Sequence, residues 1–250
     1  MSPSAAGSRS SGVGSLASRG GMGAILADVV SAARRGPSAA PVTVLDCGGG
    51  TGSLAVPIAA EGADVTVVDT SVDALATLSR RASEAGVAAR VHGIQGELET
   101  LSTHVPGGAF DLVLLHDVLE FVDDPGGLLA AATGLTRPGA VVSVRVANPA
   151  ATVLSRAAAG DLPGALAVLR GAGGAGVRGV EPARLAELIT AAGLRVERTV
   201  GLDVVSGWIA TGPTGRTEPD LIALDREAAE RSPFREIAPA VLVLARRPAD

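Results

Sequence analysis

The sequence predicts a doubly wound α/β fold with a mostly parallel sheet. Between residues 42 and 146, short apolar runs of strand length alternate with segments of helical period. The run at 64–68 is apolar almost throughout, as expected for a strand that is covered on both faces. A strand–helix–strand series of this kind predicts parallel strands joined by right-handed crossovers.

The elements follow from local patterns along the chain. Strands are predicted at 42–46, 64–68, 87–94, 110–115 and 141–146. Helices are predicted at 22–30, 53–60, 72–85 and 125–135, the last ended by Arg137-Pro138-Gly139. After residue 149 the alternation breaks, and helices are predicted at 151–159, 165–169, 182–192 and 221–230. Strands at 194–205 and 241–245 predict a hairpin-like pair that closes one edge of the sheet.

Composition limits the classes of function. The net charge is −5, which argues against a generic nucleic-acid binder but leaves a local basic patch open. Aromatic residues make up only 2% of the chain, so Ala, Val and Leu must fill the core. The single cysteine, Cys47, excludes an intramolecular disulfide and fits a reducing cytoplasm. No apolar run reaches the roughly 18 residues of a membrane-spanning helix. Three scattered histidines and one cysteine lack metal-ligand spacing, so no metal is predicted.

A glycine-rich turn follows the first predicted strand. Asp46 and Cys47 lead into Gly48, Gly49, Gly50, Thr51 and Gly52, and a helix is predicted directly afterwards. Such a turn lets backbone approach a ligand closely and points free helix N–H groups toward it. The spacing differs from the G-x-G-x-x-G of dinucleotide-binding turns, and no Lys is present for a Walker loop.

Polar residues also follow the next three predicted strands. Asp69 ends the second strand, where a carboxylate can accept hydrogen bonds from the two hydroxyls of a ribose; the alternative is an N-cap, for which Thr70 or Ser71 is better placed. Glu97 and Leu98 follow the third strand and could bind an adenine amino group and ring, although Glu97 could equally be solvated. His116 ends the fourth strand and could contact the ligand or the substrate, or serve only as a hydrogen-bonded residue near the core.

These motifs, in this order, resemble those of the class I S-adenosylmethionine-dependent methyltransferases. The resemblance covers roughly residues 42–146 and implies S-adenosylmethionine as cofactor and a seven-stranded sheet with an antiparallel last strand. It implies a single methyltransferase domain at 21–250, with a cofactor-binding half at 42–148 and a substrate-side segment at 149–208. The Ser-, Gly- and Ala-rich composition of residues 1–20 predicts a flexible tail before it. The cofactor-binding residues it implies are Arg19, Asp46, Gly48, Gly49, Gly50, Gly52, Asp69, Glu97, Leu98 and His116.

The second half is similar to the tRNA 5-carboxymethoxyuridine methyltransferases, which esterify the carboxylate of a wobble uridine. The similar stretches are 116–125, Asn148 with Leu154 and 159–161, and 233–248. Asp203, however, stands where that family carries an Arg, and a glycine-rich segment at 171–178 replaces a basic linker. A phosphate-binding track would have to come from Arg145, Arg156, Arg170, Arg178 and Arg184, which could equally form an ordinary solvated face.

Three hypotheses follow for the function. In the first, the chain is a methyltransferase whose acceptor is a tRNA or a small molecule. A carboxylate acceptor is already ionised and needs no base, whereas for a hydroxyl or amine His116 or Asp117 is the candidate general base. In the second, the protein binds the cofactor without catalysis. In the third, it is an NAD-dependent oxidoreductase, which the glycine spacing disfavours.

Overall fold

The computed structural model describes residues 16, 20–34, 40–105, 110–171, 179–209 and 219–249. Seven strands form one sheet in the order β3-β2-β1-β4-β5-β7-β6. The strands are β1 (Thr43–Cys47), β2 (Asp64–Asp69), β3 (Val91–Gln95), β4 (Phe110–His116), β5 (Thr136–Ala147), β6 (Arg195–Leu202) and β7 (Ala240–Arg246). The first five are parallel, and β7 lies antiparallel between β5 and β6. The predicted fold class is therefore confirmed.

Helices cover both faces of the sheet. They are α1 (Gly20–Ala33), α2 (Ala55–Ala60), α3 (Val72–Glu84), α4 (Leu101–His104), α5 (Pro125–Leu135), α6 (Pro149–Ala158), α7 (Leu162–Leu169), α8 (Pro182–Ala191) and α9 (Pro219–Ala228). The apolar sides of α1, α2 and α3 pack with alternate strand residues such as Val44 and Leu112. Those of α4, α5 and α8 pack with the intervening residues, such as Leu45 and Val113, on the opposite face.

The strand order places a crevice at the carboxyl ends of the parallel strands. The chain passes from β1 to β2 on one side, while β4 pairs with β1 on the other side. A switch of this kind leaves room for a ligand between the two connections that diverge there. The glycine turn, Asp69, Gln95 and His116 all lie where their strands end at this edge.

Some element boundaries differ from the predictions. Strand β3 begins at Val91 rather than at 87, because residues 88–90 form a 3₁₀ turn. Helices α6 and α7 begin two or three residues early, because the Asn148 and Asp161 side chains accept hydrogen bonds from the backbone N–H groups of the first turns. Strand β6 ends at Leu202, where Asp203 takes a left-handed conformation with φ of 55°.

Helix α5 ends at Leu135 as predicted, but the segment 137–139 that follows belongs to β5. That strand starts directly after α5, and Thr136 pairs with Phe110 before the register shifts. The Arg137 guanidinium donates to both oxygens of Asp111, at 2.9 and 3.1 Å, and the Asp111 carboxylate is almost fully buried. A long-range ion pair therefore holds this segment extended, and no local pattern in the sequence signals it.

Replacing Arg137 should destabilise the fold more than replacing an exposed arginine. We expect Arg137→Ala to lower the free energy of unfolding by about 2 kcal/mol, because the buried Asp111 carboxylate loses its charged donor. Arg80→Ala is the matched control, since both partners of the Arg80–Glu84 pair are exposed, and we expect it to cost less than about 0.5 kcal/mol. Urea denaturation at neutral pH measures both, and equal effects would contradict the expectation.

The predicted N-terminal tail lies almost entirely outside the described residues. Leu16 is described, and it is fully buried against the layer that α1 forms. Among the described residues, no helix has both the length and the apolar character needed to cross a membrane.

Candidate functional site

The glycine turn joins β1 to α2 in a conformation that side chains would oppose. Gly48, Gly50 and Gly52 have φ angles of 71°, 54° and 77°. A Cβ on Gly48 would lie 2.5 Å from Cγ1 of Val118, and one on Gly52 would overlap Leu78. Glycine is therefore required at these positions both by backbone conformation and by space. At Gly50, by contrast, a Cβ would meet nothing closer than an Asp69 oxygen at 3.8 Å, so this part of the turn faces open space.

Asp69 connects the end of β2 to the glycine turn. Its Oδ2 accepts a hydrogen bond from the Gly50 N–H at 2.9 Å, and its Oδ1 accepts one from the Ser71 N–H at 2.9 Å. Ser71, rather than Asp69, caps α3, because its hydroxyl accepts from the Ala74 N–H. The Asp69 carboxylate is thus fixed by two backbone donors at the crevice, where it is partly exposed.

Asp46 lies beneath the turn and is only 3% exposed. Its carboxylate lies against the Cα of Gly49, so that a side chain at 49 would overlap it. Burial, and then repulsion from Asp69, raises the pKa of Asp46 to about 7. Burial likewise raises the pKa of the neighbouring Cys47 thiol, so this cysteine is neutral and unreactive.

The raised pKa of Asp46 predicts a pH-dependent stability. Between the ordinary value of 3.8 and about 7, the folded state holds a proton that the unfolded state has lost, so stability falls as pH rises through this window. An Asn at this position cannot ionise, so the Asp46→Asn variant does not lose stability in this window. Above pH 7 its free energy of unfolding should exceed that of the wild type by on the order of 4 kcal/mol. Thermal melts at several pH values measure the difference, with exposed Asp73→Asn as control. Parallel pH profiles for wild type and Asp46→Asn would contradict the assignment.

Glu97 and Leu98 follow β3 at the same edge. Leu98 is partly buried, packs with the layer that contains Cys47, and its Cδ1 lies 3.9 Å from the Cβ position of Gly48. The Glu97 side chain is exposed. The pair therefore presents an apolar wall beside the turn and a carboxylate facing solvent.

His116 ends β4 in a largely enclosed position. The register pairs Cys47 with Leu115 and His116 with Arg145, so His116 lies between the start of the glycine turn and Arg145. Its Nε2 is 2.9 Å from the hydroxyl oxygen of Ser143, which is fully buried. Burial, and then the charge of Arg145, lowers the pKa of His116 to about 3, so the imidazole is neutral. Sequence reasoning did not identify Ser143, since a lone serine in an apolar strand carries no distinctive pattern.

Asp117 adopts a strained backbone conformation directly after β4. Its φ is 56°, which is unusual for a residue with a side chain, and its N–H donates to the Arg145 carbonyl at 2.9 Å. The half-exposed carboxylate forms an ion pair with the Arg145 guanidinium. The positive charge of Arg145 is therefore already paired with a carboxylate inside the site.

The structure places every predicted site residue except Arg19 at one edge of the sheet. Asp46, Asp69, Glu97, Leu98, His116, Asp117 and the four glycines all lie at the carboxyl ends of β1 to β4. Arg19 lies outside the described residues. Within the described ranges, no group of three or more His, Cys, Asp or Glu side chains could hold a metal ion.

Known proteins are similar to this chain in sequence. Residues 45–144 match the sequence model of the family described as "Methyltransferase domain". Residues 45–144 are therefore similar to this family, and the match, which covers less than half of the chain, agrees with the resemblance seen in the sequence. The cofactor that this similarity indicates is S-adenosylmethionine.

Curated proteins with similar sequences match only part of this chain. It is 31% identical over 118 residues to the tRNA 5-carboxymethoxyuridine methyltransferase of Escherichia coli, covering 47% of this chain and 45% of the relative. It is 36% identical over 107 residues to the ubiquinone biosynthesis O-methyltransferase of Sodalis glossinidius, covering 42% of this chain and 41% of the relative. The matched segments thus span less than half the length of these relatives.

Solved structures extend the similarity of fold over nearly the whole chain. The [4+2]-cyclase SpnF has a TM-score of 0.56 and 19% identity, covering 91% of this chain and 82% of that one. The magnesium protoporphyrin IX methyltransferase of Synechocystis, solved with bound SAH, has a TM-score of 0.58 and 17% identity. The match covers 90% of this chain and 80% of that one. At these identities the likeness shows the fold alone.

Proposed function

We propose that this protein transfers the methyl group of S-adenosylmethionine to an anionic oxygen of a small molecule. The observation that carries the proposal is the hydrogen bond between Asp69 and the Gly50 N–H, which places a fixed carboxylate beside an open glycine turn. Such a carboxylate suits the two hydroxyls of a ribose, and the open backbone suits the close approach of the amino-acid portion of the cofactor.

The residues around the turn fit the rest of such a cofactor. Leu98 provides an apolar wall for an adenine ring, and Glu97 an acceptor for its amino group. Gly48 and Gly52 keep the turn tight against Val118 and Leu78. When bound, the cofactor supplies a methyl group made electrophilic by its sulfonium, and the chain's main contribution is to position the acceptor in line with it.

An acceptor that is already ionised suits the acid–base groups of the site. A low pKa makes the His116 imidazole a weak general base, and the Asp117 carboxylate is paired with Arg145. Neither is well suited to removing a proton from a hydroxyl or an amine. A carboxylate, or a phenol that ionises readily, needs no such step.

The helices after β5 favour a small acceptor over an RNA. Arg156 pairs with Asp161 and Arg184 with Glu187, so these predicted phosphate contacts are already partnered, as Arg145 is. Arg170 is exposed at the end of α7, and Arg178 lies outside the described residues. The same helix α7 exposes the apolar side chains of Leu162 and Leu169, at 65% and 70%. Exposed apolar side chains on α7, next to the Arg156–Asp161 ion pair at its start, suit an apolar acceptor better than a phosphate backbone.

A tRNA remains the second candidate acceptor, and one observation favours it. Of the two curated relatives described above, the E. coli enzyme that matches over 118 residues is a tRNA methyltransferase, and its acceptor is a carboxylate-bearing uridine by name. The chemistry of an ionised acceptor is the same in both proposals. They differ in whether the segment from α6 to α8 contacts nucleic acid.

Binding of the cofactor without methyl transfer is the further alternative. The fold alone does not require methyl transfer, since the cyclase SpnF shares it. Incubation with methyl-labelled S-adenosylmethionine and a cell extract, followed by separation of small-molecule, RNA and protein fractions, distinguishes the alternatives. We expect label in the small-molecule fraction. Label in tRNA supports the second candidate, and binding of the cofactor without any labelled product supports the last.

A further inference from the structure

Two carboxylates lie close together at the glycine turn, and they differ in their partners. The Asp69 carboxylate accepts hydrogen bonds from the N–H groups of Gly50 and Ser71, both at 2.9 Å. Asp46 is only 3% exposed, and its carboxylate lies against Gly49. Among the described residues, no N–H, O–H or cationic group donates to the Asp46 carboxylate. A buried carboxylate without a donor is costly to ionise.

In the described part of the chain, the elements packed around Asp46 bring no positive charge to it. Its neighbours in the sheet are Val67 of β2 and Leu114 of β4, and α2 carries no ionisable side chain. The charge that acts on Asp46 is that of the Asp69 carboxylate, which repels it. The other ionisable groups on neighbouring elements are neutral, exposed or already paired, namely Cys47, His116, Asp28, Glu97, Arg81 with Thr51, and Asp117 with Arg145.

Asp46 is therefore protonated in the free protein at slightly acidic pH. Burial, and then repulsion from Asp69, raises its pKa to about 7. A positive charge brought to the turn reverses this effect, because an opposite charge a few Å away favours the ionised form. Direct contact is not required, since the Coulomb interaction acts across the backbone of the turn in a site that excludes most water.

The ligand of the proposed function carries such a charge. S-adenosylmethionine has a sulfonium and an ammonium group, and its amino-acid portion is the part that the open turn suits. We propose that Asp46 is a proton-linked counterion of the cofactor, which is neutral in the free protein near pH 6 and releases its proton to solvent when the cofactor binds. The inference rests on the proposed function for the identity of the ligand. Its consequence is that affinity for the cofactor rises with pH until Asp46 is already ionised in the free protein.

Calorimetry counts the released proton. Titration of the wild type with S-adenosylmethionine at pH 6, in two buffers of different ionisation enthalpy, should give about 0.8 proton released per site. The affinity should rise about fivefold between pH 6 and pH 7. Both values follow from a pKa of about 7 for Asp46 in the free protein and one of about 5 in the complex. The amino group of the cofactor titrates near about 8, above this range.

The variant Asp46→Asn separates a proton-linked role from a structural one. Asn has nearly the same shape and cannot ionise, so proton release should disappear and the affinity should be equal at pH 6 and pH 7. A structural role alone would change the affinity by the same factor at both pH values and leave the proton count unchanged. Asp73→Asn, on the exposed side of α3, should retain the wild-type release. Thermal melts show whether both variants are folded, and release that persists in folded Asp46→Asn would overturn the proposal.

Two analogues identify which positive charge is responsible. S-adenosylhomocysteine keeps the ammonium but lacks the sulfonium, and 5′-methylthioadenosine lacks both. Proton release with S-adenosylmethionine and S-adenosylhomocysteine assigns the ammonium, and release with S-adenosylmethionine alone assigns the sulfonium. In the second case the preference for S-adenosylmethionine over S-adenosylhomocysteine should also be stronger at pH 7 than at pH 6. Equal release with 5′-methylthioadenosine would overturn the proposal, because no cation then drives it.

Failure of this inference is distinguishable from failure of the proposed function. Binding of S-adenosylmethionine at pH 6 without proton release overturns the role of Asp46 and leaves the proposed function intact. Absence of binding by S-adenosylmethionine and by both analogues overturns the proposed function and the inference together.

Discussion

Asp69→Asn is expected to weaken binding of S-adenosylhomocysteine by about 100-fold, since charge-assisted hydrogen bonds are worth roughly 1.5–3 kcal/mol each. The carboxylate has two oxygens, held by the N–H groups of Gly50 and Ser71, and each retains a lone pair for a ribose hydroxyl. An amide at this position replaces one acceptor by a donor. The amide NH₂ group would then face two other donors, a backbone N–H and a ribose hydroxyl, and it could accept a hydrogen bond from neither. Isothermal titration calorimetry measures the loss.

The control for this variant is Asp73→Asn. Asp73 is exposed in the first turn of α3, so its replacement by Asn changes the net charge by the same amount without touching the glycine turn. Its affinity should stay within about twofold of the wild type. Thermal melting of Asp69→Asn without ligand separates a binding defect from unfolding. A folded Asp69→Asn protein that binds as tightly as the wild type would remove the ribose assignment.

Gly48→Ala is expected to lower the free energy of unfolding by about 3 kcal/mol. Two effects add, namely the left-handed backbone, which costs an alanine about 1 kcal/mol, and overlap with Val118, for which overpacking values of about 1–3 kcal/mol are typical. Because Val118 is buried and packs with Leu119 and Leu128, it has little room to move away. Urea denaturation gives the change in stability.

Gly86→Ala is a closely matched control for the backbone effect. Gly86 has the same φ of 71°, but nothing lies within 4 Å of its Cβ position. Its loss should therefore be only about 1 kcal/mol, and the difference between the two variants measures the overlap at Val118. Combining Gly48→Ala with Val118→Ala should recover part of that difference. Equal losses at 48 and 86 would show that the turn tolerates a side chain.

The parallel sheet and the edge that carries the site could be predicted from the sequence because both follow from local patterns. The apolar runs of β1, β2 and β4 differ from the helical periods between them, and parallel strands necessarily end at one edge. Asp69 and His116 were identified because they come directly after such runs. The terminal pair β6 and β7 was also predicted from apolar runs, and the resemblance implied that the last strand is antiparallel, but neither gave the order of the two strands beside β5.

The features that the sequence did not reveal depend on contacts between distant residues. Ser143 meets His116 only because β5 pairs with β4, and Arg145 reaches Asp117 for the same reason. The early start of β5 depends on the Arg137–Asp111 pair across the sheet. Asn148, which lies in one of the stretches similar to the tRNA methyltransferase family, donates through its amide to the Glu236 and Ala238 carbonyls and so links the start of α6 to the segment before β7. Each case involves a partner that no spacing along the chain indicates.

The measurement that tests the central claim most directly is calorimetric titration of the wild type with S-adenosylhomocysteine and, separately, with NAD. We expect one site per chain for S-adenosylhomocysteine and no detectable heat with NAD. In a melting experiment, a concentration of S-adenosylhomocysteine 100 times its dissociation constant should add about 2.7 kcal/mol of stability. Binding of NAD together with no binding of S-adenosylhomocysteine would contradict the account.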